Sequence, residues 1–187
     1  DFTETVGAMI NADQPEDQRD ATGLAGVEGN LALWLDAANI NGANNVGLTD
    51  NQDIDTWFDM SGNGHHALKA AGNPSYESSN TLIDFDGTSD YFISPLDINA
   101  SEVGKLTIFT VFSSETTSVF GVWGQDNGGW DRFLLMNHNG QISGLSDGSG
   151  VPNISDLTNQ NNNGLMVTHS YYGDDINSSK FYLNGLL

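Results

Sequence analysis

The sequence predicts an all-β fold of antiparallel strands, and three observations support this prediction. Turn-forming residues are abundant, with 22 Gly and 21 Asn among 187 residues, and both tolerate the positive φ of tight turns. The apolar residues fall in short runs rich in β-branched and aromatic side chains, and none continues as a helical stripe. About eleven such runs, separated by turn signals, favour a β-sandwich or jelly roll.

The predicted strands follow one another from residue 31 onward. The strongest is 106–112, because it combines β-branched and aromatic residues between polar flanks. The runs 82–86 and Tyr91–Ile93 flank Gly87 and predict a hairpin, while 94–104 has room for one helical turn. The other predicted strands are 31–35, 54–58, 65–68, 119–123, Arg132–Met136, 142–145, Leu165–Tyr172 and Lys180–Leu183.

The first 29 residues differ from the rest of the chain. Residues 13–20 are polar and lack periodicity, so 1–29 is predicted to be a linker or an N-terminal arm. The remaining residues, 30–187, are enough for one domain with its own hydrophobic core, and we expect a single folded domain there.

The charge is strongly negative, with 25 acidic residues against 5 basic ones and a net charge of -20. Such a surface repels phosphate backbones, so nucleic-acid binding is not expected. No apolar run reaches the ~18 residues of a membrane span, so membrane insertion is not expected either. The acids include 19 Asp, which favours binding of divalent cations, although solubility of an acidic secreted protein would explain the charge equally well. There is no Cys and hence no disulfide.

Four blocks of sequence resemble a known family in their order and spacing. They read LWLDA at 33–37, WFDMSGNGHHA at 57–67, PSY at 74–76 and FDGTSDY at 85–91. The pattern is similar to laminin-G-like, concanavalin A-like jelly-roll domains of bacterial surface adhesins, and the resemblance covers roughly residues 26–187. It implies an antiparallel β-sandwich, an extracellular location on a bacterial cell surface, and a glycan or peptide ligand on a cell or surface.

The resemblance also implies that one or more closing strands follow a strand such as 181–185, whereas this chain ends at Leu187. An unfilled position would leave backbone amides beside an apolar groove, which is a route to strand addition. Either a neighbouring chain donates a strand there, or the arm folds back, in which case residues 2–10 would pair and 13–20 would not.

Two acidic loops are candidate Ca²⁺ sites. Oxygen ligands at close spacing in flexible loops are what Ca²⁺ requires. The alternative is that these side chains cap turns by accepting backbone amides. The predicted metal ligands are Asp36, Asn39, Asn41, Asp53, Asp86 and Asp90.

A third loop, residues 59–66, has the pattern of a structural turn. Asp59 is placed to accept amide hydrogens from the turn that follows, and Gly62 and Gly64 supply positive φ. His65 and His66 are adjacent and would face opposite ways in a strand, so a shared zinc ion is not expected.

The Gly-rich stretch 123–132 is the predicted ligand rim. Sugars stack on aromatic faces and are oriented by a few planar polar groups, and Trp130 is the candidate for stacking. Its predicted polar companions are Asp126, Asn127, Asp131, Arg132, Asn137 and His138. The alternative is that Trp123 and Trp130 are both core residues and that Arg132 pairs with Asp131 or Asp126.

Enzyme motifs are missing from the sequence. None of the six Glu forms the closely spaced pair that sandwich glycosidases use, and the G-x-S-x-G and H-E-x-x-H motifs do not occur. A hydrolase stays open as the least favoured interpretation, because Asp pairs can also act as acid and base. Together with the resemblance, the sequence predicts a non-enzymatic, Ca²⁺-dependent, carbohydrate-binding adhesin module. The alternatives are a structural spacer or filament subunit, or an accessory domain of a secreted glycoside hydrolase.

Overall fold

The computed structural model describes residues 30–98, 103–113, 120–125, 132–136, 142–146, 149–150, 165–172 and 180–183. These residues form an all-β structure in which every strand pair is antiparallel. Helical structure among them is limited to short 3-10 geometry, with one complete turn at Ala37–Asn39. The all-β prediction is confirmed. In this part of the chain, no helix has the length and apolar character needed to span a membrane.

The chain divides into two compact units, residues 1–96 and 97–187. The first unit contains two three-stranded sheets, ordered β1-β4-β5 and β2-β3-β6. Their strands are β1 (Gln52–Asp53), β2 (Thr56–Trp57), β3 (Ala67–Ala71), β4 (Ser75–Glu77), β5 (Leu82–Asp84) and β6 (Tyr91–Ile93). The predicted arm, residues 1–29, lies outside the described residues, as does any strand at 2–10.

Both sheets contribute to the hydrophobic core of the first unit. Its buried side chains are Ile40, Ile54, Tyr76 and Ile83, with Leu48, Trp57 and Phe92 packed against them. The rings of Trp57 on β2 and Phe92 on β6 meet edge to face, with centroids 6.1 Å apart. Burying each aliphatic side chain stabilises the fold by roughly 1.5–3 kcal/mol, which offsets the ordering of the long loops around it.

The predicted hairpin across Gly87 is wrong. Strand β5 pairs with β4, whereas β6 pairs with β3, so the intervening loop carries the chain between two sheets. The physical reason is a side-chain contact just after β3. The Asp90 carboxylate accepts the Asn73 amide at 2.7 Å, which directs the chain entering β6 towards β3.

The predicted strand 31–35 is reduced to one bridge, between Leu35 and Asp59. Side chains take the backbone groups that a strand ladder would use. Asn63 donates to the Leu31 and Ala32 carbonyls, and the Asp59 carboxylate accepts an amide from this segment. These side-chain bonds satisfy the backbone in an irregular path, so a regular ladder is not needed.

The second unit contains a four-stranded sheet, β11-β10-β9-β8, and a three-stranded sheet, β13-β12-β7. Three predicted strands, at 132–136, 165–172 and 180–183, are confirmed residue for residue. The strands are β7 (Lys105–Phe112), β8 (Phe120–Gln125), β9 (Arg132–Met136), β10 (Ile142–Ser146), β11 (Ser149–Gly150), β12 (Leu165–Tyr172) and β13 (Lys180–Leu183).

Side chains link the two sheets of the second unit. The Trp123 indole on β8 donates to the Thr110 hydroxyl on β7 at 2.9 Å. Trp123 is half-buried, which agrees, for this residue, with the alternative in which it is a core residue. The helical turn predicted within 94–104 does not form in 94–98, and 99–102 lie outside the described residues.

Candidate functional site

The predicted Ca²⁺ ligands lie in three separate places. Asp36 caps the start of the 3-10 turn, Asn39 is its last residue, and Asn41 lies in the loop that follows it. Asp53 is in β1, and the remaining pair lies between β5 and β6. Within the described residues, no three His, Cys, Asp or Glu side chains form a group that could hold a metal ion. The calcium site stays a prediction.

In the loop after Asp36, the predicted ligand oxygens accept backbone amides. Asp36 Oδ1 accepts the Ala38 amide at 2.8 Å, and burial raises the pKa of Asp36 although that hydrogen bond opposes the rise. Asn39 Oδ1 accepts the amide of Asn44 at 2.7 Å, and Asn41 Oδ1 accepts two further amides of the same loop. This is the geometry of the turn-capping alternative.

Asn45 is the centre of that loop, and sequence reasoning missed it. Its Oδ1 accepts the Ile40 amide at 2.7 Å, and its Nδ2 donates to the Ala37 carbonyl at 2.8 Å. Its φ is 58°, a left-handed conformation that Asn tolerates better than most residues. The consecutive Asn44 and Asn45 were the available signal.

The loop of residues 86–90 is held by one carboxylate, and we call it the Asp86 loop. Asp86 Oδ1 accepts the amides of Thr88, Ser89 and Asp90 at 2.8, 2.7 and 3.1 Å, and Oδ2 accepts the Ser89 hydroxyl at 2.9 Å. The Ser89 and Thr88 amides above all lower the pKa of Asp86 to about 2, because they stabilise its charged form. The loop is therefore ordered by its own residues.

This ordering should depend on pH. Because the pKa of Asp86 falls from 3.8 to about 2 on folding, its contribution is complete above the unfolded value and is lost as the pH drops from about 4 towards 2. Asp86→Asn, which does not titrate, should show a flatter dependence of melting temperature on pH in this window. Parallel curves for the two proteins would contradict the assignment, and the carboxyl NMR shift of Asp86 gives its pKa directly.

Asp90 fastens the Asp86 loop to the end of β3. Its Oδ1 accepts the Asn73 amide at 2.7 Å, while Oδ2 accepts the Asp86 amide at 2.9 Å. Gly72 lies against the same carboxylate with a φ of 67°, so the contact depends on the missing side chain. The two predicted ligands Asp86 and Asp90 are thus adjacent, but they act as hydrogen-bond acceptors for backbone.

Two aromatic side chains stand at the ends of the Asp86 loop. Phe85 is 42% exposed and Tyr91 is 51% exposed. The Phe85 ring meets Phe92 edge to face at 5.9 Å, which restrains its orientation. Exposed rings beside fixed hydroxyls and carboxylates offer stacking and hydrogen-bonding groups together. Among the described residues, this is the surface best suited to a polar ligand with apolar faces.

The predicted turn at Asp59 is confirmed, with more partners than the sequence indicated. The side chain is only 6% exposed and accepts the amides of Ser61 and His65, each at 2.9 Å, and the Ser61 hydroxyl at 2.8 Å. It also accepts the Trp34 amide at 3.0 Å, from a distant segment. In return, the Asp59 amide donates to Nδ1 of His66 at 2.9 Å. These contacts indicate a structural role, because all of them except the one from the Ser61 hydroxyl satisfy backbone amides.

The other features of this turn also follow the prediction. Gly62 and Gly64 have φ of 86° and 77°. The two histidines contact different groups, since Nδ1 of His65 lies 3.0 Å from the Ala32 carbonyl and His66 accepts an amide from the turn.

Of the predicted ligand-binding residues at the rim, only Arg132 lies in the described part of the chain. It is fully buried, and its Nη1 donates to the Ile98 carbonyl at 2.7 Å. This placement supports a structural role within the second unit and does not expose the guanidinium to a ligand. The other rim candidates lie outside the described residues: Asp126, Asn127, Trp130, Asp131, Asn137 and His138.

Comparison with models of protein families, with curated proteins and with solved structures finds no match to this chain. Function is therefore inferred from the sequence pattern and from the geometry of the described residues.

Proposed function

We propose that this chain is a Ca²⁺-dependent carbohydrate-binding module of a bacterial cell-surface adhesin, with a concanavalin A-like jelly-roll fold. The observation that supports the proposal best is the pair of exposed rings, Phe85 and Tyr91, at the two ends of the self-ordered Asp86 loop. The antiparallel sheets and the four sequence blocks that resemble such adhesin domains support it as well.

The surface chemistry favours a neutral glycan. A pyranose would place its C–H face on Tyr91 and its hydroxyls against the Ser and Thr hydroxyls and carboxylates of the Asp86 loop. The net charge of -20 repels sulfated or uronic sugars, unless Ca²⁺ bridges them to the predicted carboxylate ligands. Neutral hexoses and their oligomers are therefore the proposed ligand class.

A glycan array probed with and without a chelator tests this proposal. Tyr91→Ala should reduce glycan binding about tenfold or more, because the stacking of the sugar on the ring and the apolar area of that contact are lost. The melting temperature should stay nearly unchanged, because the Tyr91 ring is half exposed. Phe109→Ala is the matched control, because Phe109 is an exposed aromatic of the second unit at 60%.

Four outcomes of that array are informative. Equal loss in the Tyr91 and Phe109 variants would contradict a site at the Asp86 loop. Loss in Trp130→Ala alone would place the site at the rim predicted from sequence. Binding that survives the chelator would remove calcium from the proposal, and no binding to any glycan would contradict the carbohydrate ligand itself.

A structural spacer or filament subunit is the second candidate, and one observation favours it. Strand β13 pairs with β12 on one side, and no other described strand pairs with it. A sheet edge of this kind can accept a strand from another chain. Sedimentation of the purified protein distinguishes the two candidates, since a spacer of this type self-associates with increasing concentration and a binding module stays monomeric.

A further inference from the structure

Two Asn-Gly pairs lie in described loops of the first unit, at 41–42 and 63–64. In such a pair the glycine amide nitrogen can attack the side-chain carbonyl carbon of the asparagine, because glycine has no Cβ to hinder the approach. Whether it does so in a folded protein depends on how firmly the pair is held. The two pairs differ in this respect.

The pair at Asn41 is enclosed by its own loop. Asn41 Oδ1 accepts two backbone amides, and its Nδ2 donates to the Val46 carbonyl at 3.0 Å. The nitrogen that would attack belongs to Gly42, and its N–H donates a hydrogen bond to the Asn39 carbonyl at 3.3 Å. A Cβ placed at Gly42 would meet the Phe58 ring at 3.4 Å, so there is little space for the loop to rearrange.

The pair at Asn63 is open. Asn63 is exposed, and no described atom beyond the chain neighbours lies within 4 Å of where a Cβ at Gly64 would stand. The Asn63 side chain is nevertheless used, because its Nδ2 donates to the Leu31 carbonyl at 2.7 Å, to the Ala32 carbonyl at 3.2 Å and to Ser61 Oγ at 3.1 Å. An accessible group thus ties down the segment that precedes Trp34.

We propose that Asn63-Gly64 is a spontaneous deamidation site whose conversion unfastens residues 31–32 from the turn. A bond forms between the Gly64 nitrogen and Cγ of Asn63, and the Cγ–Nδ2 bond breaks. The proton of the Gly64 amide leaves with Nδ2 as ammonia, and a succinimide remains. Water then opens the ring at either carbonyl and gives aspartate or isoaspartate at position 63.

The product reverses the polarity of the contact. The lost Nδ2 was a donor to two carbonyl oxygens, whereas the new carboxylate accepts only and would face the Leu31 and Ala32 carbonyls with like partial charge. The repulsion between these oxygens is relieved when the two groups separate. The remaining ties of Ala32 are its contacts with Nδ1 of His65 at 3.0 Å and with Ser61 Oγ at 3.4 Å.

The test is to age the full chain in mildly alkaline buffer and to map its peptides by mass spectrometry that distinguishes isoaspartate. Asn63 should convert several-fold faster than Asn41, which serves as the internal control. Hydrogen exchange of the peptide covering residues 31–35 should accelerate in proportion to the converted fraction. The inference does not depend on the proposed glycan binding.

Two variants keep the result decisive. Freshly prepared Asn63→Asp should already show the faster exchange at 31–35, because it carries the carboxylate without ageing. Asn63→Ser, which cannot deamidate, should show exchange that does not change with time. Conversion of Asn41 at an equal or higher rate, or unchanged exchange at 31–35 in fully converted protein, would overturn the proposal.

Discussion

Asp59→Ala is expected to lower the free energy of unfolding by about 3–4 kcal/mol, at the upper end for a single polar substitution. The carboxylate accepts hydrogen bonds from three backbone amides and one hydroxyl, and the side chain is buried. Alanine would leave the amides of Trp34, Ser61 and His65 without their acceptor in a site that water enters poorly. Urea denaturation measures the loss.

Two further variants define what Asp59 contributes. Asp59→Asn keeps one acceptor oxygen and should lose less than alanine does. Asp55→Ala is the control, because Asp55 is an exposed acid whose ion pair with Lys69 at the surface is worth about 0–1 kcal/mol. If Asp55→Ala and Asp59→Ala lower the free energy of unfolding by similar amounts, the hydrogen bonds to the Asp59 carboxylate do not contribute appreciably to stability.

Asp59 should also make the stability pH-dependent. Burial raises the pKa of Asp59, but the hydrogen bonds from Trp34, Ser61 and His65 together lower it below its usual value. A carboxyl whose folded pKa is depressed contributes its stability above the unfolded pKa and loses it as the pH falls through the folded one. The difference between wild type and Asp59→Ala should therefore shrink on acidification.

Gly72→Ala is expected to destabilise the first unit by about 2–4 kcal/mol, because two costs combine. A Cβ at this position would stand 1.8 Å from Asp90 Oδ1 and 2.8 Å from Asp90 Cα. The backbone there has a φ of 67°, which an L-residue adopts with strain. Relief requires the Asp90 carboxylate to move, and with it the bond to Asn73.

Gly87→Ala separates these two costs. Gly87 has the same φ of 67°, but nothing lies within 4 Å of a Cβ placed there. This variant should lose only about 1 kcal/mol, the backbone term alone. Thermal or urea unfolding of both variants gives the difference, and equal values would mean that the close approach of Gly72 to Asp90 carries no energetic weight.

Strand positions were predictable where apolar runs are long. Residues 106–112 and 165–172 are rich in β-branched and aromatic side chains, and both form strands β7 and β12. The short strands β1, β4 and β11, of two or three residues each, were missed because so few residues make no recognisable pattern.

Which strands pair with each other was less predictable from the sequence than where the strands lie. The run 82–86 and Tyr91–Ile93 look like the two arms of a hairpin, but the contact that separates them, between Asp90 and the Asn73 amide, joins residues 17 apart. The same limit applies at Asp59. Its bonds to the following turn were expected from local spacing, whereas its bond to Trp34 joins residues 25 apart and leaves no local signal.

The candidate site was predictable in part. Sequence reasoning selected Asp86 and Asp90 as a pair at one loop, and the structure brings them together through the Asp86 amide. It did not select Phe85 or Tyr91 as ligand groups, because exposure of an aromatic side chain depends on which sheet face it occupies. The predicted metal ligands and most of the predicted rim stay predictions.

The left-handed residues of the first unit limit how this sequence can diverge. Asn44, Asn45, Asn51 and Thr81 have φ between 52° and 59°. In any relative that keeps these loops, the three asparagine positions should drift only among Asn, Asp and Gly, and Asn45 should be the most restricted because both ends of its amide are used. Thr81 is β-branched and therefore strained in this left-handed conformation. Among relatives, replacement of Thr81 by Gly or Asn should be the most readily accepted substitution.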